Sequence, residues 1–294
     1  MGILITGSKG QLGSDAVKVL GRFHETMVVD LEELDITNPE DVEAMVRDFR
    51  PDVILNCAAF TNVDACETQR DIAWKVNVEG PRNLALSVKK NGGLLIHIST
   101  DYVFSGKKPP PEAYLEDDEP GPISFYGKTK LEAEAEVRQA TDRHCIVRTA
   151  WLYGIAGHNF LKTMLKLAMR GPQKEIKVVS DQFGSPTWSY QLAVQIAKII
   201  EIDGRGIYHA TAEGCCTWYD LACYFLTKMD VPHILIPCTS EEYLTPAKRP
   251  RNSILENRRL KSVGINLMKD WHENIDQFVS QFGKRLRNDV LKEL

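Results

Sequence analysis

The chain has 294 residues, 43% of them hydrophobic, which is enough for one large domain or two modest ones around a sizeable core. Its formal net charge of -4 excludes a global positive field that would gather nucleic acid or an anionic membrane, so neither partner is expected. No window approaches the roughly 20 apolar residues a membrane span requires, and no export signal precedes the strand-like start, so a cytoplasmic location is expected.

Short apolar, β-branched runs alternate with longer amphipathic ones through the first half. In chain order they are Ile3 to Thr6, Gln11 to Arg22, Met27 to Asp30, Pro39 to Phe49, Asp52 to Asn56, Thr68 to Lys90 and Leu94 to Ser99. This βαβ rhythm, with strands apolar on both faces, predicts an α/β fold built on a Rossmann-type doubly wound parallel sheet. Thr37-Asn-Pro-Glu40 supplies a cap, a first-turn proline and an early acid for the second helix. Ser105 to Pro122 reads as a long irregular loop, of a kind more often functional than idle. Phe125 to Ala140 is helical in character and His144 to Thr149 is a strand, closing a core near residue 150.

Beyond Trp151 the pattern loosens. Helices are expected at Asn159 to Met169, around Gln191 to Glu201, and near 217 to 229 and 268 to 285, with strands at Ile176 to Val179 and Gly206 to Ala210. A smaller mixed α/β substrate lobe follows, comprising about 151–185 and 214–294, while 1–150 and about 186–213 form the dinucleotide-binding domain. The seven cysteines, Cys57, Cys66, Cys145, Cys215, Cys216, Cys223 and Cys238, lack paired CxxC spacing and read as reduced, packed thiols.

Gly7, Gly10 and Gly13 stand three apart between a strand and a helix, where missing Cβ atoms permit a tight turn and close approach to a pyrophosphate. The unpaired N–H groups of that first helical turn, which includes Gln11 and Leu12, add partial positive charge for two phosphates. Asp30, after Met27-Val-Val, is placed to accept ribose hydroxyls and favours NADH. Lys9 in the turn is able to offset that charge toward a 2′-phosphate, so NADPH or NADH is the expected cofactor.

Tyr126 and Lys130 lie four apart on a predicted helix and so share a face. An adjacent ammonium and a positively charged nicotinamide favour the ionised form of a phenol, which brings it into range for proton transfer, and Lys130 is also placed to anchor a nicotinamide ribose. Thr100 ends the strand Leu94 to Ser99, where open α/β sheets bind ligands, and is placed to hydrogen-bond a carbonyl. Together these features predict hydride transfer.

The chain at this point resembles the extended short-chain dehydrogenase/reductase superfamily and, within it, the dTDP-4-dehydrorhamnose reductases. The likeness rests on Gly7-Ser-Lys-Gly-Gln-Leu-Gly13, Leu34-Asp-Ile-Thr37, Asn56-Cys-Ala-Ala-Phe-Thr61 with Val63-Asp64, Val76-Asn-Val-Glu-Gly-Pro81, His97-Ile-Ser-Thr-Asp-Tyr-Val-Phe104, Tyr126-Gly-Lys-Thr-Lys130, Arg148-Thr-Ala-Trp-Leu-Tyr-Gly154, Asp181-Gln-Phe-Gly-Ser-Pro-Thr187 and Thr245-Pro-Ala-Lys-Arg-Pro250. It implies reduction of the C4 keto group of a dTDP-linked 4-keto-6-deoxy sugar, with Thr100, Tyr126 and Lys130 as the catalytic set and Asn77 supporting it through a water or backbone contact. It further implies Asp35 and Ile36 beside the adenine and Ala58, Ala59 and Phe60 along the cofactor. Asp101 and Trp151 would touch the sugar, and Arg249 would pair with the nucleotide diphosphate.

Some relatives of this kind hold a divalent cation with acids at a dimer contact. Asp15 matches one such acid, but Tyr190 stands where another would be needed, so no metal is expected; a homodimer stays compatible. A 4,6-dehydratase is disfavoured because Asp101 is followed by Tyr102 where a glutamate would be required. An epimerase on the same scaffold stays open, as does a nucleotide-binding regulatory subunit resembling the methionine adenosyltransferase β subunit.

Overall fold

The computed structural model describes residues 1–171 and 173–293. Its first half runs β1 (Gly2–Thr6), α1 (Gln11–Leu20), β2 (Glu25–Val28), α2 (Pro39–Phe49), β3 (Val53–Asn56), α3 (Val63–Thr68), α4 (Arg70–Trp74), a π-helical turn (Lys75–Glu79), α5 (Gly80–Asn91), β4 (Leu94–Thr100), a 3-10 turn (Asp101–Val103), α6 (Phe125–Ala140) and β5 (His144–Thr149). The remainder adds β6 (Leu152–Tyr153), α7 (Phe160–Arg170), β7 (Glu175–Val179), β8 (Phe183–Gly184), β9 (Thr187–Trp188), α8 (Ser189–Glu201), β10 (Gly206–His209), β11 (Cys216–Thr217), α9 (Trp218–Lys228), β12 (Ile234–Cys238), α10 (Arg258–Ser262) and α11 (Trp271–Glu293).

Six strands in the order β10-β5-β4-β3-β1-β2, parallel throughout, form the central sheet. The fold is therefore α/β and doubly wound, as its strand composition predicts. Ile3, Leu4, Ile5, Ile54 and Leu55 are fully buried because helices cover both faces, and each such side chain contributes about 1.5–3 kcal/mol by leaving water. On one face Leu12, Ala16 and Leu20 of α1 meet Leu192, Ile196 and Ile199 of α8. On the other, Val42 and Val46 of α2 pack with Leu84 and Val88 of α5 and Val137 of α6. The chain leaves β1 toward β2 on one side and returns to β3 on the other, so a crevice opens beyond the carboxyl ends of β1 and β3, where such sheets bind ligands.

A separate apolar cluster joins Leu161 and Leu165 of α7, Leu221 and Phe225 of α9, and Trp271, Ile275 and Phe278 of α11. The loop after Val103 is tied to the C-terminal segment: Phe104 stacks on Tyr114 at 4.3 Å, and Tyr114 exchanges backbone hydrogen bonds with Ile254 and Glu256. Among the described residues no helix is long and apolar enough to cross a membrane.

Several elements differ from their predicted bounds. The first helix stops at Leu20 because Gly21 takes the cap position and returns its N–H to Val17. The single helix expected over Thr68 to Lys90 is broken at Gln69, whose φ of -105° and ψ of 52° leave the helical region, and it widens into the π turn before α5. Pro81 explains the second irregularity, since it has no N–H to return to the preceding turn. The strand β12, parallel to β7, was not expected, because Pro237 inside it masks the strand signal. The last helix begins at Trp271 and runs to Glu293, later and longer than expected.

Candidate active site

The glycine turn is built by close packing. Gly7 has a φ of +64°, and a Cβ there would lie 2.6 Å from the backbone nitrogen of Ala58; a Cβ on Gly13 would lie 2.1 Å from the Gly7 carbonyl oxygen. Both positions require glycine for these contacts. Helix α1 is preceded by Gly10 at its cap position, with no side-chain cap and no acid in its first turn, so its leading N–H groups face the crevice unneutralised. The cradle a Cβ would fill and the uncapped helix tip together fit a dinucleotide pyrophosphate.

Leu12 is buried in the core and offers the crevice only backbone, whereas Gln11 reaches Asn159, which donates to its Oε1 at 3.2 Å. Asp30 lies two residues past the end of β2, its carboxylate accepting from the backbone N–H groups of Lys9 (2.8 Å) and Leu31 (2.9 Å). The Lys9 ammonium pairs with Glu32 at 2.5 Å on the surface, so its charge toward a 2′-phosphate is partly countered. Asp35 accepts from the Thr37 N–H at 2.9 Å. Ile36 is 4% exposed, packed against Gly80, and can meet an adenine only through its backbone.

Ala58, Ala59 and Phe60 continue from β3 along the crevice, half-buried. Asn77, fully buried in the π turn, accepts from the Phe60 N–H at 2.8 Å, donates to the Phe60 carbonyl at 3.1 Å, and donates to Thr129 of α6 at 3.1 Å. It thus ties the cofactor-side run to the helix carrying Tyr126.

Helix α6 starts where Ser124 accepts from the Gly127 N–H at 3.1 Å and Glu67 accepts from the Phe125 N–H at 2.8 Å. Gly127 lets this turn approach Tyr102, whose carbonyl oxygen would be 2.2 Å from a Cβ there. Tyr126, half-buried, is thereby set beside Tyr102, ring centroids 5.8 Å apart, and beside the Thr100 hydroxyl. Burial raises the Tyr126 pKa above its ordinary value while Thr100 pulls it down, so the phenol keeps its proton at neutral pH. Lys130 is not among the groups that shift it here, and the joint pull expected from the ammonium and a positively charged nicotinamide belongs to the proposal below. The lysine, 2% exposed, turns its side-chain nitrogen to the Ile98 carbonyl at 2.7 Å and to His97 at 3.3 Å, and burial brings its own pKa down to about 8.

Thr100 donates to Asp101 at 2.9 Å and accepts from the Tyr102 N–H at 3.2 Å. The other Asp101 oxygen is buried without a partner, and burial pushes this carboxyl up to about 6. Thr100, Asp101 and Tyr126 therefore meet at the carboxyl end of β4. Trp151 and Arg249 do not join them as free groups. Trp151 lies flat on Trp218 at 3.5 Å with Gly184 against it, and a Cβ on Gly184 would be 2.3 Å from its ring. The guanidinium fork of Arg249 grips Asp64 at 3.1 and 2.9 Å and is held by Thr245. Asp64 and Trp218 are contacts that local spacing does not reveal, since they come from positions far along the chain.

Asp15 is a buried tie inside the chain, accepting from Lys18 at 2.7 Å and from Ser189 of α8 at 2.6 Å. Among the described residues no group of three or more His, Cys, Asp or Glu side chains is placed to hold a metal ion. An open cleft of about 580 Å³ beside β5 and β10 contains none of Thr100, Tyr126 and Lys130; its Arg258 is paired with Asp117 at 2.5 Å.

Comparison with known proteins gives a coherent set of likenesses. The model of the RmlD substrate binding domain matches residues 1–284. A dTDP-4-dehydrorhamnose reductase of Aggregatibacter actinomycetemcomitans is 40% identical over 284 residues, covering 92% of this chain and 95% of that protein. A crystal structure of a dTDP-4-dehydrorhamnose reductase from Clostridium acetobutylicum superposes with a TM-score of 0.93 at 42% identity, covering 96% of this chain and 99% of the other. One from Bacillus anthracis in complex with NADP superposes with a TM-score of 0.92 at 38% identity, covering 95% and 99%.

Proposed function

The chain belongs to the RmlD substrate binding domain family, and from that premise we propose that it is an NAD(P)H-dependent reductase converting the C4 keto group of dTDP-4-dehydro-L-rhamnose to the alcohol of dTDP-L-rhamnose. The observation that carries this reading is the Tyr126 phenol set beside the Thr100 hydroxyl, at the same carboxyl end of the sheet as the uncapped, glycine-lined tip of α1. Bound at that tip, NAD(P)H would supply the hydride; the relative from Bacillus anthracis crystallised with NADP supports the fit.

The chain supplies the proton and the geometry. As the carbonyl carbon gains hydride, Tyr126 donates its hydroxyl proton to the carbonyl oxygen, giving a C–H and an O–H bond and leaving a phenolate that regains a proton from the Lys130 side. Thr100 gives the oxygen a second donor when its hydrogen turns from Asp101. Asn77 keeps Phe60 and α6 in register, and Gly7, Gly10 and Gly13 with Asp30 hold the dinucleotide. We assign recognition of the sugar nucleotide to Asp101, the half-buried Trp151 and Arg249, whose guanidinium would exchange its hold on Asp64 for the diphosphate. We assign the nucleotide-binding part to 1–150 and about 186–213 and the substrate lobe to about 151–185 and 214–294; the cluster of α7, α9 and α11 apart from that of α1 and α8 supports this division, while Leu260, Ile265 and Met268 pack with α8 across it.

Spectrophotometric loss of NADPH with the dTDP-4-keto sugar tests the reading. We expect one NADPH consumed per sugar, and a fall of about 10²–10⁴-fold in kcat for Tyr126→Phe with NADPH affinity retained. An undiminished rate in that variant would remove the role of Tyr126. Turnover without net NADPH consumption would point to an epimerase, and absence of turnover with bound NADPH to a regulatory subunit.

A further inference from the structure

A chain of buried polar groups runs behind the candidate site, and no step above uses it. The parallel register places Thr6 of β1 beside Asn56 of β3 and Asn56 beside His97 of β4. All three are at most 1% exposed. Thr6 and the Ala58 N–H both meet the Asn56 side-chain oxygen, at 2.7 and 3.1 Å. The Asn56 amide nitrogen lies 3.1 Å from His97 Nδ1, and His97 Nε2 lies 3.3 Å from Lys130 Nζ.

Donor and acceptor roles along this chain are forced from one end. A backbone N–H can only donate, so the Ala58 contact identifies the Asn56 oxygen as the acceptor and its nitrogen as the donor. His97 Nδ1 must then present its lone pair, and a neutral imidazole must carry its single proton on Nε2, aimed at Lys130. An ammonium at Lys130 would set N–H against N–H in a buried site. A neutral amine resolves the conflict, accepting from Nε2–H while donating to the Ile98 carbonyl.

We propose that His97 is a positioning residue that, locked by Asn56 with Nε2–H outward, holds Lys130 as a proton-exchanging amine in place of a permanently charged ammonium. The groups facing Lys130 agree. Cys57 approaches from the loop after β3, its thiol pushed up to about 12 by burial and therefore uncharged. Glu134, one turn along α6, is the nearby charge that favours the ammonium, and it is already committed to Arg148 at 2.7 and 2.9 Å and to Ser99 at 2.5 Å. Burial keeps His97 itself well below the usual histidine range, hence neutral. In turnover, and resting there on the role proposed for Tyr126, Lys130 in its ammonium form returns a proton to the phenolate, is left as the neutral amine that accepts from His97, and takes a proton back from water.

Nitrogen NMR on the whole chain, with labelled histidine and lysine, tests this without turnover. In the wild type we expect His97 as the Nε2-protonated tautomer and a Lys130 titration midpoint near 8. In His97→Gln, whose side-chain oxygen is free to face an ammonium, the midpoint should rise by about one pH unit or more, a tenfold tighter hold on the proton. An Nδ1-protonated His97, a wild-type midpoint at the ordinary lysine value, or an unmoved midpoint in His97→Gln would each overturn the proposal. Should His97→Gln fail to fold, the wild-type tautomer still decides, because burial alone lowers the Lys130 midpoint whereas an Nδ1-protonated His97 removes the lock. Tyr126→Phe separates this inference from the functional reading: the tautomer and midpoint should persist there whether or not activity falls.

Discussion

Asp101 carries a pH signature of its own. It is 2% exposed, one oxygen bonded to Thr100 and the other unpartnered, and its carboxyl is pushed up from 3.8 to about 6. A folded-state pKa above the unfolded one means that the native chain keeps a proton which the unfolded chain releases. Its contribution to stability is therefore complete below about pH 4 and lost as pH rises through about 6. Roughly two pH units correspond to about 3 kcal/mol as an order of magnitude. Urea unfolding of wild type and Asp101→Asn between pH 4 and pH 7 reads this directly: the variant should lack that part of the decline, and parallel curves would show that this proton does not respond. The same burial keeps the Tyr126 phenol protonated, the form a reductase needs in its proton donor.

The π turn Lys75–Glu79 shows how an irregular element serves a site. The widened turn, in which Gly80 returns its N–H to Lys75 just before Pro81, places Asn77 between Phe60 and Thr129. Asn77→Ala strands the Phe60 N–H and carbonyl, and each orphaned buried group costs about 1–3 kcal/mol. We expect a loss of about 2–4 kcal/mol in urea unfolding and about a tenfold weaker NADPH affinity by calorimetry. Unchanged affinity would mean that the Ala58 to Phe60 run holds its shape unaided. Helix α6 carries the complementary device: Ser124 and Glu67 fix its first turn, so Tyr126 starts from a pinned backbone.

Across the whole molecule, the Asp64–Arg249 pair joins the crevice beside α3 to the segment before α10. Because the pair is partly exposed, its worth to stability is about 1 kcal/mol or less. Its placement makes it a determinant of sugar-nucleotide binding instead: Arg249→Met should raise KM for the dTDP sugar about tenfold or more and leave NADPH affinity within about twofold. Steady-state kinetics with calorimetry checks this, and equal effects on both ligands would assign Arg249 to general structure. The strands β1, β3, β4 and β5, the glycine spacing and the four-residue interval from Tyr126 to Lys130 were legible in the sequence, because strand and helix periods act over a few neighbouring residues. The proline-bearing β12, the two-residue strands and the break at Gln69 were not, since each depends on partners that local propensity does not encode. What tertiary structure alone decided is the electrical state of the site: Asp64 occupying the fork of Arg249, Trp218 covering Trp151, and His97 meeting Lys130 are contacts made across 33 to 185 positions. Burial and hydrogen-bond partners, which set whether a side chain is charged, free or committed, come into existence only when the chain closes on itself.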